Sequence, residues 1–522
     1  MPKTDRSAGP SGSSPYLTPV FAGWKATANL FGIAVWLASL AYFWVWWLRP
    51  ENIDHLGPYL VVTLILAWIT LIPSYFIFIF AFARVPIDAG ASNAKAAVVV
   101  TKAPSEPFEV VRETLLGALA QVDVDHDTWL ADEDPSPETL AWCEKNGVYV
   151  STRKGVVAYH QAKWPRRTRC KEGNLAYFYD HYGYERYEFV AQFDADHIPS
   201  PTYLKNALVP FADPAVGYVS APSICDANAN ASWSARGRLY LEASMHGALQ
   251  TGYNSGWAPL CIGSHYTVRT SALREIGGLG PELAEDHSTT LMFNSGGWRG
   301  VHAVNAIAHG DGPETFTHLV VQEFQWSRSL VTILCEYSPR LIGSLPPRLK
   351  FQFLFSQFWY PLFSIMMALS LMLPSYALLT GRYFVNVTYI DYFLHILPLS
   401  VVMIILAYWW RATGLFRPPL ASIISWEGMA FLFARWPWSL LGSVVAVRDW
   451  LFGVIAEFRV TPKKSARAEA LPFWVLSPYL GISLVCAIIA WGVEDPGTAG
   501  GFYIFNLMIA AIYVGLVILI VV

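Results

Sequence analysis

The chain has 522 residues, of which 54% are hydrophobic and only 14% are charged. Soluble proteins carry about 25% charged residues, so this composition and a mean hydropathy of +0.35 exclude a fully soluble protein and indicate a membrane protein with a soluble part. The formal net charge of -3 favours no class of partner. The six cysteines lack CxxC or metal-ligand spacing, which indicates reduced core residues rather than a zinc site or a disulfide framework.

The N-terminal region predicts a tail followed by two membrane spans. Residues 1–28 include the polar "SAGPSGSSP" and are predicted to be a disordered, cytoplasmic tail without a signal-peptide cleavage site. A span needs about 20 apolar residues, and the uncharged stretches 30–48 and 58–83 both qualify. Residues 29–84 are therefore assigned to two transmembrane helices.

A long stretch without a span-length apolar run follows, so residues 85–341 are predicted to form a cytoplasmic domain inserted between spans. Beyond it, apolar runs resume and bring the prediction to about six spans. They lie at 351–381, 392–410, 473–493 and 502–522, which assigns two spans to 342–411 and two to 473–522.

The segment 412–472 separates the fourth and fifth predicted spans. Its sequence "ISWEGMAFLFARWPWSLLGSVVAVRDW" is apolar, yet it contains Glu427, Arg435, Arg448 and Asp449. This pattern predicts amphipathic helices that lie in the membrane interface. The alternative is a seventh span broken by Pro437.

Lysine and arginine predict the orientation of the bundle. The segment 411–467 carries eight of them, whereas the loops 49–57 and 382–391 carry one each and 494–500 carries none. The N-terminus, the inserted domain, the segment 412–472 and the C-terminus are therefore expected on the cytoplasmic side.

Three segments of the insert alternate strand with helix, which predicts a parallel sheet covered on both faces. Ligands of such sheets bind at the carboxyl ends of the strands. Acidic residues follow the predicted strands at this position: Glu106, then Asp132 and Asp134, then Asp194 and Asp196. Because acids after strands also cap helices, capping remains an alternative for Asp132 and Asp134.

The sequence "FDADH" places Asp194 and Asp196 one residue apart. Carboxylates this close resist joint ionisation unless a cation compensates. Mg²⁺ and related hard dications take carboxylate oxygens together with substrate phosphates. The pair therefore predicts a divalent metal site, although a lone DxD also occurs by chance.

Two later segments carry candidate catalytic and binding residues. In "GPELAEDHS", Glu285 and Asp286 stand where a loop enters a helix, as a general base and its neighbour would; the alternative is a pair of helix N-terminal acids. In "QEFQWSRS", Gln322, Gln325 and Trp326 precede the return to the membrane, where a tryptophan also serves as an interfacial anchor.

A basic stretch, "WPRRTRCKEGN", includes Lys171. It is either a solvated basic face or a patch that faces a diphosphate.

Taken in order, nine segments resemble the motifs of processive family 2 glycosyltransferases of the cellulose synthase type. They are "SEP", "ADED", "CKEGN", "DADH", "IGS", "AEDHS", "GPETF", "QEFQW" and "FRVTPK", and the resemblance covers about residues 57 to 520. It implies an α/β nucleotide-sugar transferase domain of the glycosyltransferase-A type, with a Rossmann-like mixed sheet, inserted in an α-helical membrane bundle.

The resemblance also implies roles for single residues. Glu106 and Asp132 would hold the uridine, and Lys171 would lie beside the diphosphate. Asp194 and Asp196 would bind Mg²⁺ or Mn²⁺ and, through it, the nucleotide sugar.

The same resemblance assigns the catalytic base to Asp286, with Glu285 beside it, and the acceptor site to Gln322, Gln325 and Trp326. Gln325 stands where the family's QxxRW motif has an arginine, and Arg328 is expected to replace that arginine in part. "FRVTPK" corresponds to the family's FxVTxK gating loop, which would lie over the nucleotide and contribute Phe458, Val460, Thr461 and Lys463.

The implied function is a membrane-embedded, processive, inverting glycosyltransferase that makes a β-glucan from UDP-glucose and moves it across the bacterial inner membrane. Expected partners are a UDP-sugar, the growing polysaccharide, membrane lipids and accessory or periplasmic export proteins, with no nucleic acid. Three alternatives stay open: a non-processive transferase acting on a lipid carrier, a synthase using another UDP-sugar such as UDP-N-acetylglucosamine, and a transporter or scaffold with an inactive insert.

Overall fold

The computed structural model describes residues 16–87, 94–454, 471–494 and 500–522. The strands are β1 (Leu17–Pro19), β2 (Arg84–Pro86), β3 (Ala96–Lys102), β4 (His126–Asp132), β5 (Tyr149–Thr152), β6 (Phe189–Phe193), β7 (Ile198–Pro199), β8 (Val216–Ser220), β9 (Ser223–Ile224), β10 (His265–Arg269), β11 (Arg299–His302) and β12 (Ala308–His309). The helices are α1 (Trp24–Trp47), α2 (Leu56–Ala81), α3 (Phe108–Leu119), α4 (Pro137–Lys145), α5 (Lys171–Phe178), α6 (Tyr184–Arg186), α7 (Tyr203–Leu208), α8 (Trp233–Ser244), α9 (Gln250–Tyr253), α10 (Thr270–Glu275), α11 (Glu285–Ser295), α12 (Phe316–Glu336), α13 (Ser338–Leu341), α14 (Pro347–Thr380), α15 (Tyr389–Ala412), α16 (Trp426–Phe452), α17 (Phe473–Trp491) and α18 (Gly500–Val521).

Seven strands form the central sheet of the inserted domain, in the order β11-β8-β10-β6-β3-β4-β5. β3 runs parallel to β4 and β6, and β4 runs parallel to β5. β10 is antiparallel to both of its neighbours, so the sheet is mixed rather than parallel throughout. Every residue of β3 is buried. This burial is expected for a valine-rich strand at the centre of a sheet that helices cover on both faces.

Two layers of helices cover this sheet. On one face, α3 and α7 pack on Val98, Val100 and the other side chains of that side. On the opposite face, α5, α10 and α11 pack on Val99 and Trp129. Because successive side chains along a strand point to opposite faces of the sheet, the domain has two separate hydrophobic cores. The predicted fold class is confirmed.

The N-terminal segment differs from the prediction of a disordered tail over 1–28. Within the described residues, β1 pairs antiparallel with β2, and the α1 helix begins at Trp24. The physical reason is that β2 follows the α2 helix and offers its backbone hydrogen-bonding groups to the chain entering α1. Val20 N also donates to Ala83 O at 2.9 Å. Residues 1–15 lie outside the described part.

Among the described residues, seven helices are long and apolar enough to cross a membrane. Six of them, α1, α2, α14, α15, α17 and α18, coincide with the six predicted spans. The inserted domain stands between α2 and α14. The chain is therefore a multi-pass membrane protein, and the seventh candidate is α16.

The α16 helix lies along the inserted domain. It has 27 residues, or about 40 Å at 1.5 Å per residue. Ion pairs connect its start, middle and end to α8 and α12: Glu427 with Arg236 at 3.2 Å, Arg435 with Glu323 at 2.8 Å, and Asp449 with Arg328. A helix attached to the domain over its whole length favours the predicted interface position over a seventh span.

The expectation of several interface helices within 412–472 requires one correction, because residues 426–452 form a single helix that continues through Pro437. Proline cannot donate to the carbonyl four residues earlier. The hydroxyl of Tyr513 donates to that carbonyl, Phe433 O, at 3.4 Å, and the hydroxyl of Tyr479 donates to Ala434 O at 2.7 Å. These distant tyrosines satisfy the acceptors beside the proline and keep the helix intact.

Candidate active site

Two charged side chains meet where β3 and β4 end. Lys102 and Asp132 are paired in register, and Lys102 Nζ lies 3.1 Å from Asp132 Oδ2, with the side chains 8% and 0% exposed. Burial raises the pKa of Asp132, and the charge of Lys102 opposes that rise. Because Ser136 caps the α4 helix, neither Asp132 nor Asp134 is its capping residue. Lys102 was not predicted from the sequence. The one feature that could have indicated a role for it is its position at the end of a strand.

The other predicted uridine contact, Glu106, turns back onto its own loop. Its Oε2 accepts a hydrogen bond from Ala103 N at 2.7 Å. Asn174, from the "CKEGN" segment, donates from Nδ2 to Lys102 O at 3.0 Å. These contacts bring the first strand end, the Glu106 loop and the start of α5 together.

The basic stretch before α5 has a structural role. Arg166 N and Arg167 N donate to the Glu172 carboxylate at 2.8 and 3.0 Å, and Arg166 pairs with Asp180 at 2.8 Å. Gly173 packs so closely that a Cβ would lie 2.2 Å from Arg167 O. The stretch therefore fixes the first turn of α5, where Lys171 stands.

Lys171 is the central cation of the site. Its Nζ lies 3.0 Å from Asp194 Oδ1 and 3.4 Å from Glu285 Oε1, and it donates to Gly263 O. Burial opposes the charged ammonium, but the two carboxylates outweigh it and raise the pKa of Lys171 above its ordinary value. The structure thus brings together three residues that lie far apart in sequence.

Asp194 and Asp196 form the turn directly after β6. Asp194 N donates to Ser264 O at 2.8 Å. Asp196 Oδ1 lies 3.2 Å from His197 Nδ1, and both side chains are buried. Burial disfavours the imidazolium, but the Asp196 charge outweighs it and raises the pKa of His197 to about 10. The His197–Asp196 ion pair was not predicted from the sequence.

The donors of this turn fit a hard dication. Asp194 is partly open, with 32% of its side chain exposed, and carboxylate oxygens are the ligands that Mg²⁺ and Mn²⁺ prefer. In the part of the chain that the structure describes, no group of three or more His, Cys, Asp or Glu is placed to hold a metal ion. Such a turn suits a cation that takes one or two carboxylates from the protein and its remaining ligands from phosphates and water.

Glu285 and Asp286 begin the α11 helix beside Lys171. Glu285 is buried, whereas Asp286 is only partly covered and faces the "IGS" loop, where a Cβ on Gly263 would lie 3.4 Å from Asp286 Oδ2. Burial raises the pKa of both carboxyls, and Lys171 opposes the rise. The preceding residue, Ala284, donates from N to Ser329 Oγ at 2.9 Å, which attaches this loop to the α12 helix.

The "QEFQW" segment lies on the α12 helix and meets a residue that sequence analysis missed. Arg238, on α8, places its guanidinium carbon 4.3 Å from the centroid of the Trp326 ring and donates from Nη1 to Gln322 Oε1 at 2.8 Å. Its Nε donates to Glu242 Oε2 at 3.1 Å. The Arg238–Glu242 spacing of four residues is a signal for an ion pair on a helix, but nothing in it indicates Trp326.

No contact to Lys171, Asp194 or Glu285 is described for the other residues that the sequence assigned to the site. Arg328 pairs with Asp449 of α16, which holds its guanidinium at the interface helix. Gln325 lies on the same helix as Trp326. The gating-loop residues Phe458, Val460, Thr461 and Lys463 lie outside the described residues, so their roles stay predictions.

The structure therefore contains a mixed sheet that helices cover on both faces, with paired acids at its strand ends, in a domain inserted among candidate membrane helices. Residues 94–329 match the family model "Glycosyltransferase like family 2", and residues 258–417 match the family model "Cellulose synthase". The two matches overlap over residues 258–329 and together confirm the resemblance to family 2 glycosyltransferases of the cellulose synthase type that was inferred from the sequence.

Curated relatives include cellulose synthases. The UDP-forming cellulose synthase catalytic subunit of Xanthomonas axonopodis pv. citri (strain 306) is 26% identical over 313 residues, which cover 56% of this chain and 40% of the relative. Cellulose synthase 2 of Novacetimonas hansenii is 28% identical over 324 residues, which cover 59% of this chain and 19% of the relative. The chain spans less than half the length of either relative.

Among solved structures, a mannosyltransferase from Pyrobaculum calidifontis in complex with GDP-Man and Mn²⁺ is similar to this chain. The TM-score is 0.48 at 15% sequence identity, and the match covers 81% of this chain and 99% of the mannosyltransferase.

Proposed function

We propose that this protein is a processive, inverting glycosyltransferase of the inner membrane, which polymerises a β-glucan from UDP-glucose on the cytoplasmic side and moves it across the bilayer. The observation that carries the proposal is the cluster of Lys171, Asp194, Glu285 and Asp286 at the strand ends of a domain inserted between membrane helices. The names of the curated relatives support a cellulose-like product.

Asp286 is the proposed catalytic base. It takes a proton from an acceptor hydroxyl, whose oxygen forms a bond to the anomeric carbon while the bond from that carbon to the UDP oxygen breaks. One displacement inverts the anomeric carbon. The positive charge of Lys171 stabilises the carboxylate form of Asp286 before the acceptor arrives.

Lys171 also faces the leaving diphosphate in this proposal. Its ammonium is held between carboxylates and is therefore fixed in place before the substrate binds, as electrostatic stabilisation of a leaving group requires. Asp194 and Asp196 would hold Mg²⁺ or Mn²⁺. When bound, that cation supplies charge neutralisation of the diphosphate.

The other predicted contacts frame the substrates. Asp132 and Glu106 stand at the strand ends expected to receive the uridine, and Gln322, Gln325 and Trp326 are the proposed acceptor site. Trp326 presents an aromatic face on which a sugar ring packs well. Arg328 and the loop with Phe458, Val460, Thr461 and Lys463 are proposed to approach the nucleotide during the cycle.

The test uses the full chain purified in detergent with Mg²⁺ or Mn²⁺ and either UDP-glucose or UDP-N-acetylglucosamine. We expect UDP release only with UDP-glucose, loss of release on chelation, and a long product that a β-glucan-specific hydrolase digests. Short lipid-linked product would instead favour the transferase that acts on a lipid carrier. Absence of UDP release with every donor would indicate an inactive insert and contradict the proposal.

A further inference from the structure

A cavity of about 280 Å³ lies where the inserted domain meets the membrane helices. Its lining includes Val216 and Arg299, the first residues of β8 and β11. β8 and β11 are parallel, and β8 shares the direction of β6 because β10 runs antiparallel to both. The cavity therefore lies at the edge of the sheet opposite to Asp194 and is separate from the candidate active site.

Close contacts fix the walls of this cavity. Asn254 donates from Nδ2 to Arg84 O at 2.7 Å, and the hydroxyl of Ser255 donates to Phe82 O. Gly252 packs against the end of α2, where a Cβ would lie 2.4 Å from Ile79 O. The cavity is therefore largely formed before any ligand arrives, as small-molecule sites usually are.

The charge of the lining is positive. Arg84, Arg299 and Arg348 all line the cavity together with one acid, Asp213. Asp213 Oδ2 pairs with Arg299 Nη2 at 3.0 Å, and arginines outnumber acids three to one among the lining residues. A planar guanidinium matches the geometry of a phosphate group, which favours an anionic, phosphate-bearing ligand.

The depth of the cavity points to a lipid. Arg84 follows the end of α2 by three residues, and Arg348 lies in the first turn of α14, so the cavity stands at the ends of two helices that are long and apolar enough to cross a membrane. Phe78 and Phe82 also line it and are 44% and 59% exposed. This places charged groups at headgroup level and open aromatic faces beside them.

We propose that this cavity binds the headgroup of an anionic phospholipid, with its phosphodiester between Arg84 and Arg348 and its acyl chains along Phe78 and Phe82. Basic pockets between membrane helices and the domain beneath them attract such headgroups. A bound lipid would join α2, α14 and the inserted domain through one ligand. The inference is independent of which sugar the active site transfers.

The test is native mass spectrometry of the full chain in an uncharged detergent. The protein is titrated with phosphatidylglycerol or with phosphatidylcholine of the same acyl chains. We expect one tightly bound phosphatidylglycerol, weaker binding of phosphatidylcholine, and a loss of affinity of about tenfold in Arg84→Gln and in Arg348→Gln, because each removes a charged hydrogen-bond donor.

Lys25→Gln is the matched control, because Lys25 is exposed at the start of α1 on the same side of the bundle and does not line the cavity. We expect it to bind phosphatidylglycerol as the parent protein does. Unfolding temperatures without lipid establish that the arginine variants are folded. Equal affinity for both lipids, unchanged affinity in both arginine variants, or displacement of the lipid by inorganic phosphate would each overturn the proposal.

Discussion

Arg238 lies over the ring of Trp326, with its guanidinium carbon 4.3 Å from the ring centroid. The same guanidinium donates to Gln322 Oε1 at 2.8 Å, so one side chain from α8 orients two residues of the "QEFQW" segment on α12. Gln325 takes the place of the arginine found in the related QxxRW motif. A guanidinium is thus present beside this tryptophan, but a different helix supplies it.

Arg238→Lys tests this arrangement. Lysine keeps the positive charge beside Glu242 but lacks the planar face that stacks on Trp326. We expect polymer elongation to fall about tenfold, equivalent to ~1.4 kcal/mol, with UDP affinity unchanged. The control is Arg236→Lys on the same helix, which alters the pair with Glu427 instead. Equal elongation by both variants would contradict a role of Arg238 at the acceptor site.

The buried pair of Glu323 and Arg435 joins the α12 and α16 helices at 2.8 Å. Removal of one partner of a buried pair leaves an uncompensated charge and costs about 3–5 kcal/mol. We therefore expect Arg435→Met and Glu323→Met each to lower the unfolding temperature clearly. The double variant should recover most of the loss, because no unpaired charge remains. Single variants as stable as the parent protein would show that the pair is not buried.

Topology tests the interface position of α16. If α16 lies along the inserted domain, six helices cross the membrane, and a reporter fused after Val522 stands on the same side as that domain. We expect green fluorescent protein to fluoresce at this position and alkaline phosphatase to be inactive there. A fusion after Val385, between α14 and α15, provides the opposite-side control. Active phosphatase after Val522 would mean that α16 crosses the membrane.

The pH dependence of transfer reports on Asp286. Burial raises the pKa of its carboxyl, and only the deprotonated form accepts a proton, so the rate is expected to fall as the pH is lowered through that raised pKa. The acidic limb of UDP release at saturating donor should therefore lie above the ordinary aspartate value of about 4. The unfolding temperature at each pH serves as the control for loss of structure. A rate that is unchanged down to pH 4 would contradict Asp286 as the base.

Features with a local sequence signal were predictable. Span positions follow from the length of apolar runs, and Asp132 and Asp194 could be assigned to strand ends because strand and helix patterns alternate around them. The two aspartates were expected at one edge of the sheet because the sequence predicts parallel strands. In the structure β4 and β6 are both parallel to β3, so the two strands end at the same edge.

Features that depend on tertiary packing were not predictable. The Arg238–Gln322 contact joins residues 84 positions apart, and the Arg435–Glu323 contact joins residues 112 positions apart. The α16 helix continues through Pro437 because hydroxyls from the membrane helices α17 and α18 satisfy its carbonyls. The ordered β1 strand likewise depends on a partner, β2, that follows two membrane helices.

Asp286→Asn provides the most direct test of the central claim, that this site transfers a sugar with Asp286 as its base. Asparagine keeps the shape of the side chain but cannot take a proton, so we expect polymer elongation from UDP-glucose to fall by at least about 10² while UDP affinity stays close to that of the parent protein. Glu185→Gln, an exposed acid paired with Arg274, should elongate normally. Elongation by Asp286→Asn at the parental rate would contradict the account.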